Sequence, residues 1–97
     1  MNQKTNSSIL IKILCQIEDK RDMAQFLELL FTEKEAKEID NRLEIFRLLL
    51  QQNPQRDIAS ALGVGIATVT RGSQALARDS KGLLKRHLLK QVRNKTP

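Results

Sequence analysis

The chain has 97 residues, which fits one domain with a modest core. It holds no Trp or Tyr and only three Phe, so that core must be aliphatic. A single cysteine excludes an internal disulfide, and no apolar run approaches the roughly 20 residues of a membrane span.

The formal charge of +6 is unevenly distributed. Residues 1–50 hold 8 Lys/Arg against 9 Asp/Glu, whereas residues 51–97 hold 9 Lys/Arg against Asp57 and Asp79 alone. A half with net charge +7 suits a polyanion, either nucleic acid or an anionic membrane surface. The same charge also serves as a merely solvated face. Residues 9–17 are apolar, yet Lys12 interrupts them and no small-residue cleavage site follows, which argues against a signal peptide. A reducing, cytoplasmic setting is expected, with Cys15 a buried, inert thiol.

Met1 to Ser7 (1–7) is polar and reads as a flexible N-terminal arm. Ile9, Leu10, Ile11, Ile13, Leu14 and Ile17 then crowd one short helix, and Met23, Phe26, Leu27, Leu29, Leu30 and Phe31 crowd a second. Helices apolar over most of their circumference must be covered on most sides. Two of them exceed what one small core can bury, so the expectation is an interleaved, intertwined homodimer. Thr32 to Glu35 reads T-x-x-E, a capping box opening a third helix whose apolar positions are Ala36, Ile39, Leu43, Phe46 and Leu50.

Asn53-Pro54 ends that helix, and Pro54 suits the first turn of the next, Gln55 to Leu62. Gly63 breaks it, a fifth helix runs from about Gly65 to Arg78, and Asp79 or Ser80 caps a sixth that ends near Arg93. Asn94 to Pro97 (94–97) reads as a frayed tail. The predicted fold is therefore all-α, a six-helix subunit forming a single helical domain over 8–93.

Residues 55–78 carry the functional signal. The stretch QRDIASALGVGIATVTRGSQALAR places small Ala59 where two short helices would cross and Gly63 where a sharp turn needs positive φ. Ile58, Leu62, Val64 and Val69 are spaced to form the pair's own seam. This is a helix-turn-helix, although a generic helical hairpin would share the same seam. In a DNA reader the N-terminal residues of the second helix meet base edges in the major groove. Here they are Gly65, Ile66, Ala67, Thr68 and Thr70, with no Asn, Gln, Lys or Arg before Arg71. Bidentate base recognition is poorly provided for, so phosphate contacts, bridging water and DNA shape should dominate. Gln55 and Arg56, at the start of the first helix, suit a phosphate.

LGVGIATVTRGS, residues 62–73, resembles the signature of the tryptophan repressor family, and FTEKEAKEIDNRLEI, residues 31–45, extends the resemblance upstream. The likeness covers about Phe31 to Leu76 well; the flanking segments share only length and helical character. That family is itself a stock example of helix-turn-helix docking. The resemblance implies an intertwined dimer, L-tryptophan as corepressor and double-stranded operator DNA as partner. It implies that Arg42 and Arg71 stack on the two faces of the indole, and that Arg71 also takes the carboxylate beside the Gly72 backbone. Thr32, with the carbonyls of Leu29 and Phe31, would close the polar end from the partner subunit.

Each also has a plainer reading: Thr32 as a helix cap only, Arg42 as an exposed charge pairing with Glu38, Arg71 as a phosphate contact alone. The sequence departs from the family at Ala75, which lacks a hydroxyl commonly offered near the ligand's ammonium group. It departs again at Ala59, where a lysine often binds phosphate, and its Asn53-Pro54 junction is one residue shorter.

No catalytic constellation is visible, and His87 stands among Leu83, Leu84 and Leu88 without acidic or cysteine neighbours, so an enzyme is not expected. Two alternatives stay open at this stage. One is a helix-turn-helix regulator without tryptophan control; the other is a helical protein- or membrane-interaction module using Lys81, Lys85, Arg86, Lys90 and Arg93.

Overall fold

The computed structural model describes residues 8–95, so the expected arm over 1–7 lies outside the described residues. Six helices follow one another: α1 Ile9–Gln16, α2 Lys20–Leu30, α3 Glu33–Leu50, α4 Gln55–Leu62, α5 Ile66–Ala77 and α6 Leu83–Lys95. There is no strand among the described residues. The fold is all-α.

Local chemistry sets most of the boundaries. Ser8 and Asp19 accept from the backbone N–H groups of Ile11 and Asp22, starting α1 and α2. Thr32 and Glu35 form the reciprocal capping box at α3: Thr32 N–H donates to Glu35 Oε1 at 2.9 Å, and Glu35 N–H to Thr32 Oγ1 at 3.1 Å. Helix α3 ends in a Schellman turn, with Asn53 N–H donating to the Leu48 carbonyl and Gln52 N–H to that of Leu49. The left-handed position of that turn is taken by Gln52, at φ 73°, rather than by a glycine.

Helix α4 spans Gln55–Leu62 as expected, but Pro54 stands before its first turn as the N-cap, because its ψ of 148° is extended rather than helical. The last helix differs from expectation at both ends. Helix α6 begins later than expected, since Gly82 is left-handed at φ 69° and holds the chain in a turn. Both Asp79 carboxylate oxygens reach across that turn to the N–H groups of Leu83 and Leu84. Helix α6 then continues through Lys95, into the segment read as a frayed tail, whose last two residues lie outside the described residues.

The chain divides into two compact units, one through Lys37 and one from Glu38. In the first unit neither α1 nor α2 has a buried residue, and Ile9 and Leu29 are 74% and 80% exposed. Cys15, expected to be buried, is exposed for the same reason: nothing described in its unit covers α1. The second unit has an aliphatic core of Ile45, Ile58 and Val69, each nearly or wholly inaccessible, with Leu48, Leu49, Ala59, Leu62 and Val64 packed around it. The expected seam of α4 and α5 is therefore present but not private, because Ile45 of α3 fills its centre. On α3 the buried residues are Ile45 and Phe46, while Ile39 and Leu43, expected to face inward, are exposed. The α4–α5 pair docks on the Ile45 side of α3, and Ile39 and Leu43 stay partly exposed, at 39% and 41%.

Candidate functional site

Gly63 makes the turn between α4 and α5. At φ 68° it occupies a conformation that costs a side-chain-bearing residue about 1 kcal/mol or more. Val64 N–H donates to the Ala59 carbonyl and Gly63 N–H to that of Ser60, the two bonds of a Schellman turn. The turn is fixed at both ends, because Leu62 and Val64 pack on the core that Ile58 and Val69 define.

That anchoring leaves the first turn of α5 outside. Ile66, Ala67 and Thr68 are exposed, Ile66 by 51%, whereas Val69 is fully buried. Neither α4 nor α5 has a side-chain cap. Helices α1, α2, α3 and α6 all have one. The N–H groups of Gln55, Arg56 and Asp57 on α4 and of Ile66 and Ala67 on α5 have no partner among the described residues, while that of Thr68 donates to the Gly65 carbonyl. At such helix starts the dipole favours an anion. Arg56 and Gly65 are exposed beside them. Gln55 and Thr70 are half-buried and joined to each other, the Thr70 hydroxyl donating to Gln55 Oε1 at 2.8 Å.

Helix α5 crosses α3 at Gly72, which is buried. A Cβ there would lie 2.7 Å from Ile45 Cγ2 and 3.9 Å from Phe46 Cε1. Arg71 adjoins the crossing on α5, and Arg42 lies one turn before it on α3, on the face that Phe46 shares. Both are exposed, and neither has a carboxylate partner among the described residues; the ion pair found there joins Arg47 to Glu44. The pairing of Arg42 with Glu38, its plainer reading, is thus not formed. Ala75, one turn beyond Gly72, is half-buried.

In the other unit Thr32 serves as the α3 cap, which uses its oxygen as an acceptor and leaves its proton available. The carbonyls of Leu29 and Phe31 accept no hydrogen bond among the described residues, as befits the end of a helix. No group of His, Cys, Asp and Glu among the described residues could hold a metal ion, and His87 is exposed. None of the described helices is long and apolar enough to cross a membrane.

Sequence reasoning missed two relationships. The contact of Gly72 with Ile45 was signalled only by a glycine inside a helix, where it costs about 1 kcal/mol and calls for a packing reason. The bond between Thr70 and Gln55 left no signal, because it depends on how α4 lies across α5.

Fold and site together define the class: a small all-helical protein that presents a docked pair of short, uncapped helices on its basic half. Comparison with known proteins narrows it. A family model described as Trp repressor protein matches residues 5–92. A Trp operon repressor homolog of Xylella fastidiosa is 39% identical over 77 residues, 78% of this chain and 84% of that relative. Homologs of the same name from Photobacterium profundum and Aliivibrio fischeri are 42% and 47% identical. They cover 66% and 52% of this chain, and 61% and 47% of those relatives. No solved structure matches significantly. The chain belongs to the Trp repressor family, whose members are transcription regulators and not enzymes.

Proposed function

We propose that the protein is a sequence-specific DNA-binding transcriptional repressor, with α4 and α5 as its helix-turn-helix and L-tryptophan as corepressor. It acts in the cytoplasm, as an intertwined homodimer, on genes of tryptophan biosynthesis or transport. The observation that carries the DNA-binding reading is the first turn of α5, where Ile66, Ala67 and Thr68 stand in solvent while Val69 anchors the helix in the core. Gly65, Ile66, Ala67, Thr68 and Thr70 would then lie along the major groove. Gln55, Arg56 and Arg71 would meet phosphates.

The ligand reading is supported by the crossing of α3 and α5. Arg42 and Arg71 flank it as exposed guanidinium groups without carboxylate partners among the described residues. This donor set fits an aromatic amino acid, since a guanidinium can stack on a ring and fork a carboxylate. Leu29, Phe31 and Thr32 would supply two free carbonyls and a hydroxyl to the ammonium end from the second subunit. Arg71 and Gly72 lie on α5 itself, so a ligand held there ties the reading helix to α3. Binding of ligand and of DNA are then linked, each strengthening the other by the same factor.

The test is equilibrium binding to DNA duplexes, one of them enriched by the protein from a randomised pool, across a panel of amino acids. L-tryptophan alone should tighten binding. Arg56→Ala should weaken the enriched and unrelated duplexes by similar factors, and lower the salt slope by roughly one per lost phosphate contact. A second reading, a DNA-binding regulator without tryptophan control, is favoured by Ala75 and predicts affinity indifferent to the panel. If the protein binds DNA only weakly and without sequence preference, α4 and α5 are a structural hairpin.

A further inference from the structure

Among the described residues, one side-chain hydrogen bond spans fifteen residues and joins α4 to α5: the Thr70 hydroxyl donates to Gln55 Oε1 at 2.8 Å. A hydroxyl has one proton, so the donor of Thr70 is already engaged and only acceptor capacity remains. Gln55 is left in the opposite state. With Oε1 held against α5, the planar amide turns Nε2 away, and neither hydrogen on Nε2 has a partner among the described residues. Gln55 is also the first residue of α4, where no side chain caps the opening turn, and its neighbour Arg56 is exposed.

A phosphodiester offers only acceptor oxygens, so it matches the free Nε2 hydrogens and not an engaged hydroxyl. Ordering a long glutamine side chain on binding costs entropy, and a bond formed in the free protein removes that cost beforehand. We infer that Thr70 is a positioning residue, acting on DNA through Gln55 by presenting its Nε2 as a preset donor to a backbone phosphate. This rests on the DNA-binding reading above, and assigns to Thr70 a contribution that is the same for every base sequence.

The experiment uses the full chain with L-tryptophan present, carrying Thr70→Val, Thr70→Ser, Gln55→Ala or both Thr70→Val and Gln55→Ala. Each protein is titrated on two duplexes of equal length, one enriched by the wild type from a randomised pool and one unrelated. Thr70→Val and Gln55→Ala should each lose roughly 2- to 10-fold on both duplexes, leaving their ratio unchanged. The double variant should be no weaker than Gln55→Ala alone, and Thr70→Ser should bind as the wild type does. Relaxation of the Gln55 side-chain amide in the free protein gives a readout independent of DNA. It should be ordered in the wild type and in Thr70→Ser, and mobile in Thr70→Val. Additive losses, a changed ratio between duplexes in Thr70→Val, or an amide equally mobile in all three would overturn the assignment while DNA binding stood. A wild type that enriches no duplex would overturn both.

Discussion

Gly72 sits so close to Ile45 that a methyl group on its α-carbon would stand 2.7 Å from Ile45 Cγ2. Ile45 is only 1% exposed and belongs to the core, so it has no room to withdraw. Gly72→Ala should therefore destabilise the protein by about 1–3 kcal/mol, the usual cost of overpacking. Alanine's better helix propensity recovers about 1 kcal/mol at most. Urea denaturation checks the loss, and in an Ile45→Ala background, which lacks the Cγ2 that the new methyl would meet, Gly72→Ala should cost less. Independent, additive effects would mean that the two residues do not share this contact.

The turn after α3 stores strain at Gln52, whose φ of 73° suits a glycine. Its N–H and that of Asn53 already make both bonds of the turn, so nothing is lost by trimming the side chain. Gln52→Gly should stabilise the fold by roughly 1 kcal/mol, the left-handed penalty outweighing the added freedom of the unfolded chain. A thermal midpoint that falls would contradict this.

Exposed apolar residues of α1 and α2 lead to a prediction about assembly. Ile9, Leu10, Ile11, Leu29 and Leu30 are all exposed in the single chain. Patches of that kind rarely persist on monomers. The protein should be a dimer at micromolar concentration, with an unfolding midpoint that rises with protein concentration. Light scattering settles the mass; a monomer with a concentration-independent midpoint rules the dimer out.

Ligand binding separates the two guanidinium groups. Arg71→Leu should nearly abolish L-tryptophan binding, since removing a charge-assisted partner of the carboxylate costs on the order of 2–3 kcal/mol. Arg42→Ala should cost less, about 1–2 kcal/mol, as it supplies stacking alone. Ala75→Ser should tighten L-tryptophan but not indole-3-propionate, which has no ammonium group for the new hydroxyl to meet. Calorimetry on the wild type and these variants decides it, and absence of heat in the wild type would remove the corepressor while leaving DNA binding untouched.

Much of the architecture was legible in the chain because it is encoded locally. The capping box of Thr32 and Glu35, the helix Gln55–Leu62 and the turn at Gly63 each depend on residues within one or two turns of each other. Ile58 and Val69 could be assigned to a seam from their spacing, and both are buried. Charge placement and the motif at residues 62–73 were equally visible, since neither needs a third dimension to be read. Tertiary structure alone decided which side of α3 receives the α4–α5 pair. Periodicity favours the stripe of Ile39, Leu43 and Phe46, which follow one another at four- and three-residue steps, and leaves Ile45 off it, two residues from Leu43. Docking buried Ile45 and Phe46 and left Ile39 and Leu43 partly exposed. The same docking gave Gly72 its neighbour, and the packing of α4 against α5 gave Thr70 its acceptor, because both contacts form between helices, where distance along the chain no longer predicts distance in space.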